Sequence, residues 1–195
     1  MTEDEIFAEF RAAGALLDGH FILSSGLHSA LYLQCARVLA NPLVAARLAS
    51  ALVATMPRDL RSRIDLVVSP AMGGIIAGHE MARALGTKAY FLERPAGVFE
   101  LRRGFAIEPG QKVLMMEDVV TTGLSSREAI TAIGAAGGEV VAAGAIIDRS
   151  TAPIDFGVPF HALLKLEVPT YAADALPPEL AALPATKPGS RAAAG

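Results

Sequence analysis

Apolar and polar positions alternate along much of this chain in blocks that predict an α/β protein. Short apolar runs, typical of strands covered on both faces, alternate with segments of helical periodicity that end at glycine. The predicted strands are residues 64–69, 89–92, 113–118, 140–148 and 162–166, and the helices between them include 74–85 and 125–136. Strand starts recur about every 25 residues, which is the rhythm of βαβ units and predicts a mostly parallel sheet flanked by helices.

The N-terminal segment follows a different pattern. Thr2 and Glu5 form a capping box that predicts a first helix. Residues 21–33 are predicted to be extended around a Ser-Ser-Gly turn. Asn41 followed by Pro42 predicts the start of another helix, because asparagine caps helices and proline suits the first helical position. This segment therefore precedes the repeating βαβ part of the chain.

The chain length of 195 residues fits one domain, given a soft expectation of ~150 residues per domain. After residue 171 the composition shifts to proline and alanine. We therefore predict a single domain over residues 1–176 and a Pro/Ala-rich C-terminal tail over residues 177–195, mobile at its end.

Composition narrows the class of protein further. Apolar residues make up 52% of the chain and aromatic residues 6%, which favours a compact interior over disorder. Cys35 is the sole cysteine, which excludes an internal disulfide, and we expect it to be a buried apolar residue. The acidic N-terminus lacks the order of a signal peptide, and no apolar run approaches the ~20 residues of a membrane span. We therefore expect a cytoplasmic protein, and the net charge of −3 argues against broad nucleic-acid binding.

The most specific motif is VLMMEDVVTTGLSS at residues 113–126. Its apolar start predicts a buried strand, and Glu117 and Asp118 fall at the carboxyl end, where open α/β sheets bind ligands. Hydroxyls and Gly123 then lead into a helix, whose free N–H groups and positive dipole end suit a phosphate. Adjacent carboxylates suit the hydroxyls of a ribose. The motif therefore predicts a ribose 5-phosphate site, and the absence of GK[ST] after the glycine excludes a Walker-type ATP loop.

This motif resembles the phosphoribosyl pyrophosphate (PRPP) motif of the type I phosphoribosyltransferases. Within that family, EDVVTTG followed by S-x-R-E resembles the orotate-specific branch, as do residues 19–33 and 145–150. The resemblance implies a central, mostly parallel sheet and a small hood built from the first ~40 residues and the C-terminal segment. It also implies transfer of ribose 5-phosphate from PRPP to orotate, which gives orotidine 5′-monophosphate and pyrophosphate on the way to UMP.

The resemblance assigns roles to the residues of the motif. The two carboxylates would bind the ribose hydroxyls, the following loop would wrap the 5-phosphate, and Asp118 would also favour a transition state of oxocarbenium character. The PRPP-binding residues implied in this way are Glu117, Asp118, Val119, Val120, Thr121, Thr122, Gly123, Leu124 and Ser125.

A second loop follows the strand at residues 64–69 and opens the next helix. Ala71, Met72 and Gly73 resemble the pyrophosphate loop of the family, although a plain tight connection between strand and helix is the alternative. The lysine that the family often carries in this loop is absent here. The resemblance implies Mg²⁺, bound mainly through PRPP and pyrophosphate, and we expect no metal site made of protein side chains alone.

A third segment, residues 93–105, is rich in arginine and contains proline and glycine. By resemblance it is a mobile loop that closes over pyrophosphate and reaches into the site of a second subunit, which implies a homodimer. Arg94, Arg102 and Arg103 are its candidate catalytic residues. Many members carry lysine and histidine in this loop, and this one has neither. A solvated surface hairpin is the alternative interpretation.

Arg149 follows the predicted strand at residues 140–148. Its planar guanidinium matches a carboxylate such as that of orotate, and by resemblance Arg149 and Thr121 contact this base. The alternative is a surface arginine paired with Asp148. Two other functions also remain open at this point, namely a purine-specific phosphoribosyltransferase and a PRPP-sensing regulator that binds nucleic acid.

Overall fold

The computed structural model describes residues 1–23 and 25–188, so Ser24 and the last seven residues of the predicted tail lie outside the described part. Within the described part, no helix is both long and apolar enough to cross a membrane. The helices are α1 (Glu3–Ala12), α2 (Cys35–Leu39), α3 (Pro42–Thr55), α4 (Arg58–Arg61), α5 (Gly74–Leu85), α6 (Leu124–Ala135) and α7 (Pro178–Ala181). The strands are β1 (Leu16–Ile22), β2 (His28–Leu33), β3 (Leu66–Pro70), β4 (Lys88–Glu93), β5 (Glu100–Leu101), β6 (Lys112–Val120), β7 (Glu139–Asp148), β8 (Phe160–Lys165), β9 (Thr170–Tyr171) and β10 (Ala185–Thr186).

A six-stranded sheet in the order β5-β4-β3-β6-β7-β8 forms the centre of the fold. All neighbouring strands in it are parallel except the edge pair of β4 and β5. Alternate residues of β6 enter two different hydrophobic clusters, with Leu114 and Met116 in one and Val113 and Met115 in the other. The sheet is therefore covered on both faces, which confirms the α/β class and the mostly parallel sheet.

Local end signals account for the helices that the sequence predicted. Thr2 and Glu5 form the capping box of α1, and the side chain of Asn41 accepts a hydrogen bond from the backbone N–H of Leu43 at the start of α3. Helix α5 has the predicted bounds and ends at Gly86, which adopts a left-handed conformation with φ of 73°. These predictions are confirmed. Helices α2, α4 and α7 and the strands of only two residues were not predicted, because they are too short for a periodic pattern.

A separate four-stranded sheet in the order β10-β1-β2-β9 forms the hood. The antiparallel pair of β1 and β2 lies at its centre, and β9 and β10 from the C-terminal segment flank it. The ring of His20 in β1 lies 3.0 Å from the carbonyl oxygen of Leu183 and 2.6 Å from a ring nitrogen of His28. The predicted hood is confirmed. Since β10 falls within residues 177–195, part of that segment pairs with β1, and a domain boundary at residue 176 stays a prediction.

Candidate active site

The acidic pair lies near the carboxyl end of β6, which continues two residues beyond the predicted end at residue 118, to Val120. Glu117 is buried, and the hydroxyl of Ser125 donates a hydrogen bond to its carboxylate at 3.2 Å. Burial and then the neighbouring charge of Asp118 raise the pKa of Glu117 to about 7, against the opposing effects of Ser125 and Arg94. Burial also raises the pKa of Asp118, whose carboxylate accepts a hydrogen bond of 2.9 Å from the N–H of Val119. Two partly desolvated carboxylates side by side favour a ligand that brings hydroxyls or a cation.

The turn between β6 and α6 depends on Gly123. This residue has φ of 73°, and a Cβ added there would lie 2.8 Å from a guanidinium nitrogen of Arg127 and 3.0 Å from Ile154 and Phe156. Glycine is therefore required both by backbone conformation and by space. The turn leaves the first N–H groups of α6 free of intrahelical partners, as at the start of any helix.

These groups line a cavity of about 290 Å³. Thr121 and Thr122 are exposed, so their hydroxyls are available to a ligand, whereas the hydroxyl of exposed Ser125 already donates to Glu117. Buried Glu117 lies at one wall of this cavity, and the N-terminus of α6 lies at another. The residues that line the cavity are Arg94, Glu117, Val119, Val120, Thr121, Thr122, Gly123, Leu124, Ser125, Ser126 and Glu128. Eight of the nine PRPP-binding residues predicted from the sequence thus share one cavity, and Asp118 follows directly in the same strand.

The loop between β3 and α5 lies against the acidic pair. A Cβ added to Gly73 would lie 2.8 Å and 2.9 Å from the two carboxylate oxygens of Asp118, and one added to Gly74 would lie 3.1 Å from the carbonyl oxygen of Met116. The Ala71–Met72 peptide bond is cis, and the side chain of Met72 is 84% exposed. The backbone of the second loop therefore directly faces Asp118, and a side chain at residue 73 would require the Asp118 carboxylate to move.

The arginines of residues 93–105 divide into two groups. Arg94 forms an ion pair of 2.5 Å with Glu128 and lies 3.9 Å above the ring of Phe99, at the cavity just described. Arg103 instead forms two hydrogen bonds with Glu93, of 2.8 Å and 3.0 Å. Arg102 lies 3.8 Å from the same carboxylate, and neither residue lines the cavity. The segment also contains β5, which pairs with β4 at the edge of the sheet. Residues 93–105 therefore include a hairpin, as the alternative interpretation of a surface hairpin expected.

Arg149 lies just beyond β7, and its backbone N–H donates to the carbonyl oxygen of Val120 at 2.8 Å. Burial lowers the pKa of its guanidinium, and its Nε has no hydrogen-bond partner among the described residues. The carboxylate of Asp148 pairs with Lys165 at 2.9 Å. The alternative in which Asp148 pairs with Arg149 is therefore wrong, and no ion pair of Arg149 is present among the described residues.

A cavity of about 670 Å³ lies between Arg149 and the hood. Thr121 lines both this cavity and the one at the N-terminus of α6, so the two adjoin at a single residue. The hood supplies Tyr32 and Gln34, which the sequence did not identify as site residues. The only sequence signal for these two residues was that polar side chains lie at the end of the extended segment predicted over residues 21–33. Cys35 is buried as predicted, with its sulfur 4.0 Å from the carbonyl oxygen of Asp118.

Comparison with known proteins places this fold among the phosphoribosyltransferases of type I. A solved structure of orotate phosphoribosyltransferase from Aeropyrum pernix matches with a TM-score of 0.66 and 25% identity, covering 80% of this chain and 91% of that one. No family model matches the chain. The orotate phosphoribosyltransferase of Novosphingobium aromaticivorans is 69% identical over 98% of this chain and 99% of its own length, and that of Sphingopyxis alaskensis is 68% identical over 100% of both.

The chain belongs to the orotate phosphoribosyltransferase family. This membership confirms the resemblance seen at residues 113–126, and it makes the chain a glycosyltransferase of the pentosyltransferase type. A solved adenine phosphoribosyltransferase also matches, with a TM-score of 0.62 at 18% identity, which shows a shared fold alone.

Proposed function

We propose that the chain transfers the ribose 5-phosphate group of PRPP to orotate, forming orotidine 5′-monophosphate and pyrophosphate for UMP synthesis. One observation carries the proposal: Thr121 lines both the cavity that holds Glu117 and the cavity that holds Arg149. A sugar phosphate and a planar carboxylate base could therefore bind on either side of one residue. The reacting atoms, ribose C1 and a ring nitrogen of the base, would meet beside Thr121.

The acidic pair and the loop after it would bind the ribose phosphate. Glu117 and Asp118 would accept hydrogen bonds from the two ribose hydroxyls, which compensates two carboxylates that burial disfavours. The exposed hydroxyl of Thr122 and the N–H groups of the first turn of α6 would bind the 5-phosphate, and the hydroxyl of Ser125 would join them by turning away from Glu117. Positioning of this kind can supply much of the rate of a displacement reaction.

The loop of Ala71, Met72 and Gly73 would bind the pyrophosphate through its backbone, because this chain has no lysine there. Within the described part of the chain, no group of three or more histidine, cysteine, aspartate or glutamate side chains could hold a metal ion. The donor set instead fits a Mg²⁺ ion held by substrate phosphates and water, with Asp118 beside the loop as the nearest carboxylate. When bound, Mg²⁺ would neutralise charge on the leaving pyrophosphate.

Orotate would bind with its carboxylate on Arg149 and its ring near Thr121. The guanidinium offers a planar pair of donors, and its buried Nε lacks a partner among the described residues. As the bond from ribose C1 to pyrophosphate breaks, positive character develops on the sugar, and the charge of Asp118 would stabilise it. A purine would leave Arg149 without an anionic partner, which favours orotate over the purine bases.

The arginine loop would complete the site in a homodimer. Arg94 already lies at the phosphate cavity, whereas Arg102 and Arg103 would have to leave Glu93 to reach pyrophosphate. Their side chains are 50% and 64% exposed, and Val98 at the tip is 66% exposed, so the segment is free to contact a second subunit. The location that we propose for this enzyme is the cytoplasm, as expected from the sequence.

The test is the loss of ultraviolet absorbance of orotate on mixing the protein with orotate, PRPP and Mg²⁺. Adenine, hypoxanthine and uracil are assayed in parallel. We expect loss of orotate only when PRPP and Mg²⁺ are both present, and Arg149→Met should lower kcat/KM for orotate by about 100-fold or more. Turnover of a purine in place of orotate, or full activity of the Arg149→Met variant, would contradict the proposal.

A further inference from the structure

The turn that carries Arg149 is held from two sides. On one side, the N–H of Arg149 itself donates to the last residue of β6 at 2.8 Å. On the other side, Lys165 at the end of β8 donates to the carboxylate of Asp148 at 2.9 Å and to the carbonyl and hydroxyl oxygens of Ser150 at 2.5 Å and 2.7 Å. Lys165 therefore contacts both neighbours of Arg149 in the chain.

Asp148 and Ser150 are also bonded to each other and to the sheet. The second carboxylate oxygen of Asp148 accepts from the N–H of Ser150 at 2.8 Å, and the N–H of Leu166 donates to the carbonyl oxygen of Asp148 at 2.8 Å. Burial alone would raise the pKa of Asp148, but the hydrogen bonds from Lys165 and Ser150 hold it below its ordinary value. The turn is thus a closed network of charge-assisted hydrogen bonds on a pair of strand ends.

The guanidinium of Arg149 makes no comparable contacts. Its Nε is buried without a hydrogen-bond partner, and no ion pair to it is present among the described residues. Its direction before a base binds therefore depends on where the backbone of residues 148–150 is fixed. A guanidinium that donates two hydrogen bonds to one carboxylate must be placed accurately, so a small displacement of this backbone would weaken the interaction.

We propose that Lys165 is a positioning residue for recognition of the orotate carboxylate, acting through Asp148 and Ser150 on Arg149. This inference rests on the proposed function, since it takes Arg149 to be the residue that binds the carboxylate. Lys165 does not touch the base. It holds the turn so that the guanidinium enters the cavity beside Thr121 in a single direction.

The same strands provide a matched control at their opposite ends. Lys112 at the start of β6 pairs with Glu139 at the start of β7, directly across the strands. This pair joins neighbouring parallel strands as Lys165 and Asp148 do, but it lies at the amino ends, away from both cavities. A purely structural effect of losing a cross-strand ion pair should therefore appear equally in Lys112→Met and Lys165→Met.

The experiment compares the dissociation constants of orotidine 5′-monophosphate and UMP, which differ by the base carboxylate, in wild type, Lys165→Met, Lys112→Met and Arg149→Met. We expect Lys165→Met to reduce the preference for orotidine 5′-monophosphate by about tenfold, the scale of a lost charge-assisted network. Its KM for orotate should rise while that for PRPP stays within about twofold. Lys112→Met should keep the wild-type preference, and thermal melting should show both lysine variants folded.

The Asp148→Asn variant distinguishes positioning of Arg149 by Lys165 from a long-range attraction between the charge of Lys165 and orotate. Removing this negative charge should strengthen anion binding if Lys165 acts only by attracting orotate at a distance, whereas positioning predicts that Asp148→Asn and Lys165→Met both weaken it. Lys165→Arg should restore part of the preference. An unchanged preference in Lys165→Met, with a large loss in Arg149→Met, would overturn the positioning role alone. An unchanged preference in Arg149→Met would instead overturn the assignment of the base carboxylate in the proposed function.

Discussion

Glu117 should make the folded protein less stable as the pH rises, and Glu117→Gln should remove this effect. In the folded state its pKa is about 7 instead of the ordinary 4.5. Between these two values the folded protein retains a proton that the unfolded chain has lost, so stability falls as the pH increases and the full loss is present above pH 7. A glutamine has no such proton, and the variant should lack this slope.

The size of the effect follows from the change in pKa. A shift from 4.5 to about 7 corresponds to about 3 kcal/mol, because each tenfold change in the protonation equilibrium is worth ~1.4 kcal/mol. The oxygen of glutamine can still accept the hydrogen bond from Ser125, but its new N–H₂ group needs an acceptor, which costs about 1 kcal/mol. We therefore expect the variant to be more stable than wild type by about 2 kcal/mol at pH 8 and no more stable at pH 5.

Urea unfolding of both proteins at pH 5, 6, 7 and 8 measures this difference, at one protein concentration so that subunit association does not alter the comparison. Glu128→Gln is the control, since it removes a partly exposed carboxylate of the same cavity that forms an ion pair worth about 0–1 kcal/mol. A difference between Glu117→Gln and wild type that does not grow with pH would refute the reasoning. The variant should meanwhile lose affinity for PRPP, so the carboxylate is retained at a cost to stability.

Two further predictions concern the loops. Arg102→Ala should lower kcat by about 100-fold, by analogy with the loss of one transition-state donor, and leave the dissociation constant of orotate within about twofold. Arg58→Ala, at an exposed position of helix α4, is the control, and unchanged turnover of Arg102→Ala would remove Arg102 from the mechanism. Gly73→Ala should raise the KM for PRPP about tenfold, because its Cβ would lie 2.8 Å from a carboxylate oxygen of Asp118. Gly134→Ala meets nothing within 4 Å, and equal KM values for the two variants would show that the close approach is unimportant.

Features that depend on neighbouring residues could be predicted from the sequence. The cap at Asn41, the end of α5 at Gly86 and the acidic pair at the end of β6 are each encoded within a few positions. The proximity of the loop after β3 to the acidic pair of β6 also follows from a general rule, because parallel strands end at the same edge of a sheet.

Contacts between distant residues could not be predicted in this way. The pair of Lys165 and Asp148 depends on the register of β8 against β7, which no local pattern specifies. Likewise, nothing in residues 93–105 indicates that Arg102 and Arg103 would turn back to Glu93 while Arg94 reaches the cavity at the N-terminus of α6. Which carboxylate pairs with a given lysine or arginine depends on the final packing of the chain, and a single sequence does not indicate which of several partners it will be.

The pairing of β10 with β1 has a consequence for how the protein is made. The ring of His20 meets the carbonyl of Leu183 across 163 positions of chain, and β1 and β10 pair in the same region. Since synthesis proceeds from the N-terminus, the six-stranded sheet can form on the ribosome before β10 exists. Until then β1 pairs with β2 alone, and its other edge stays open. The hood sheet is therefore complete only once β10 has been made, and a nascent chain that stalls before residue 183 would carry the loops after β3 and β6 without the complete hood.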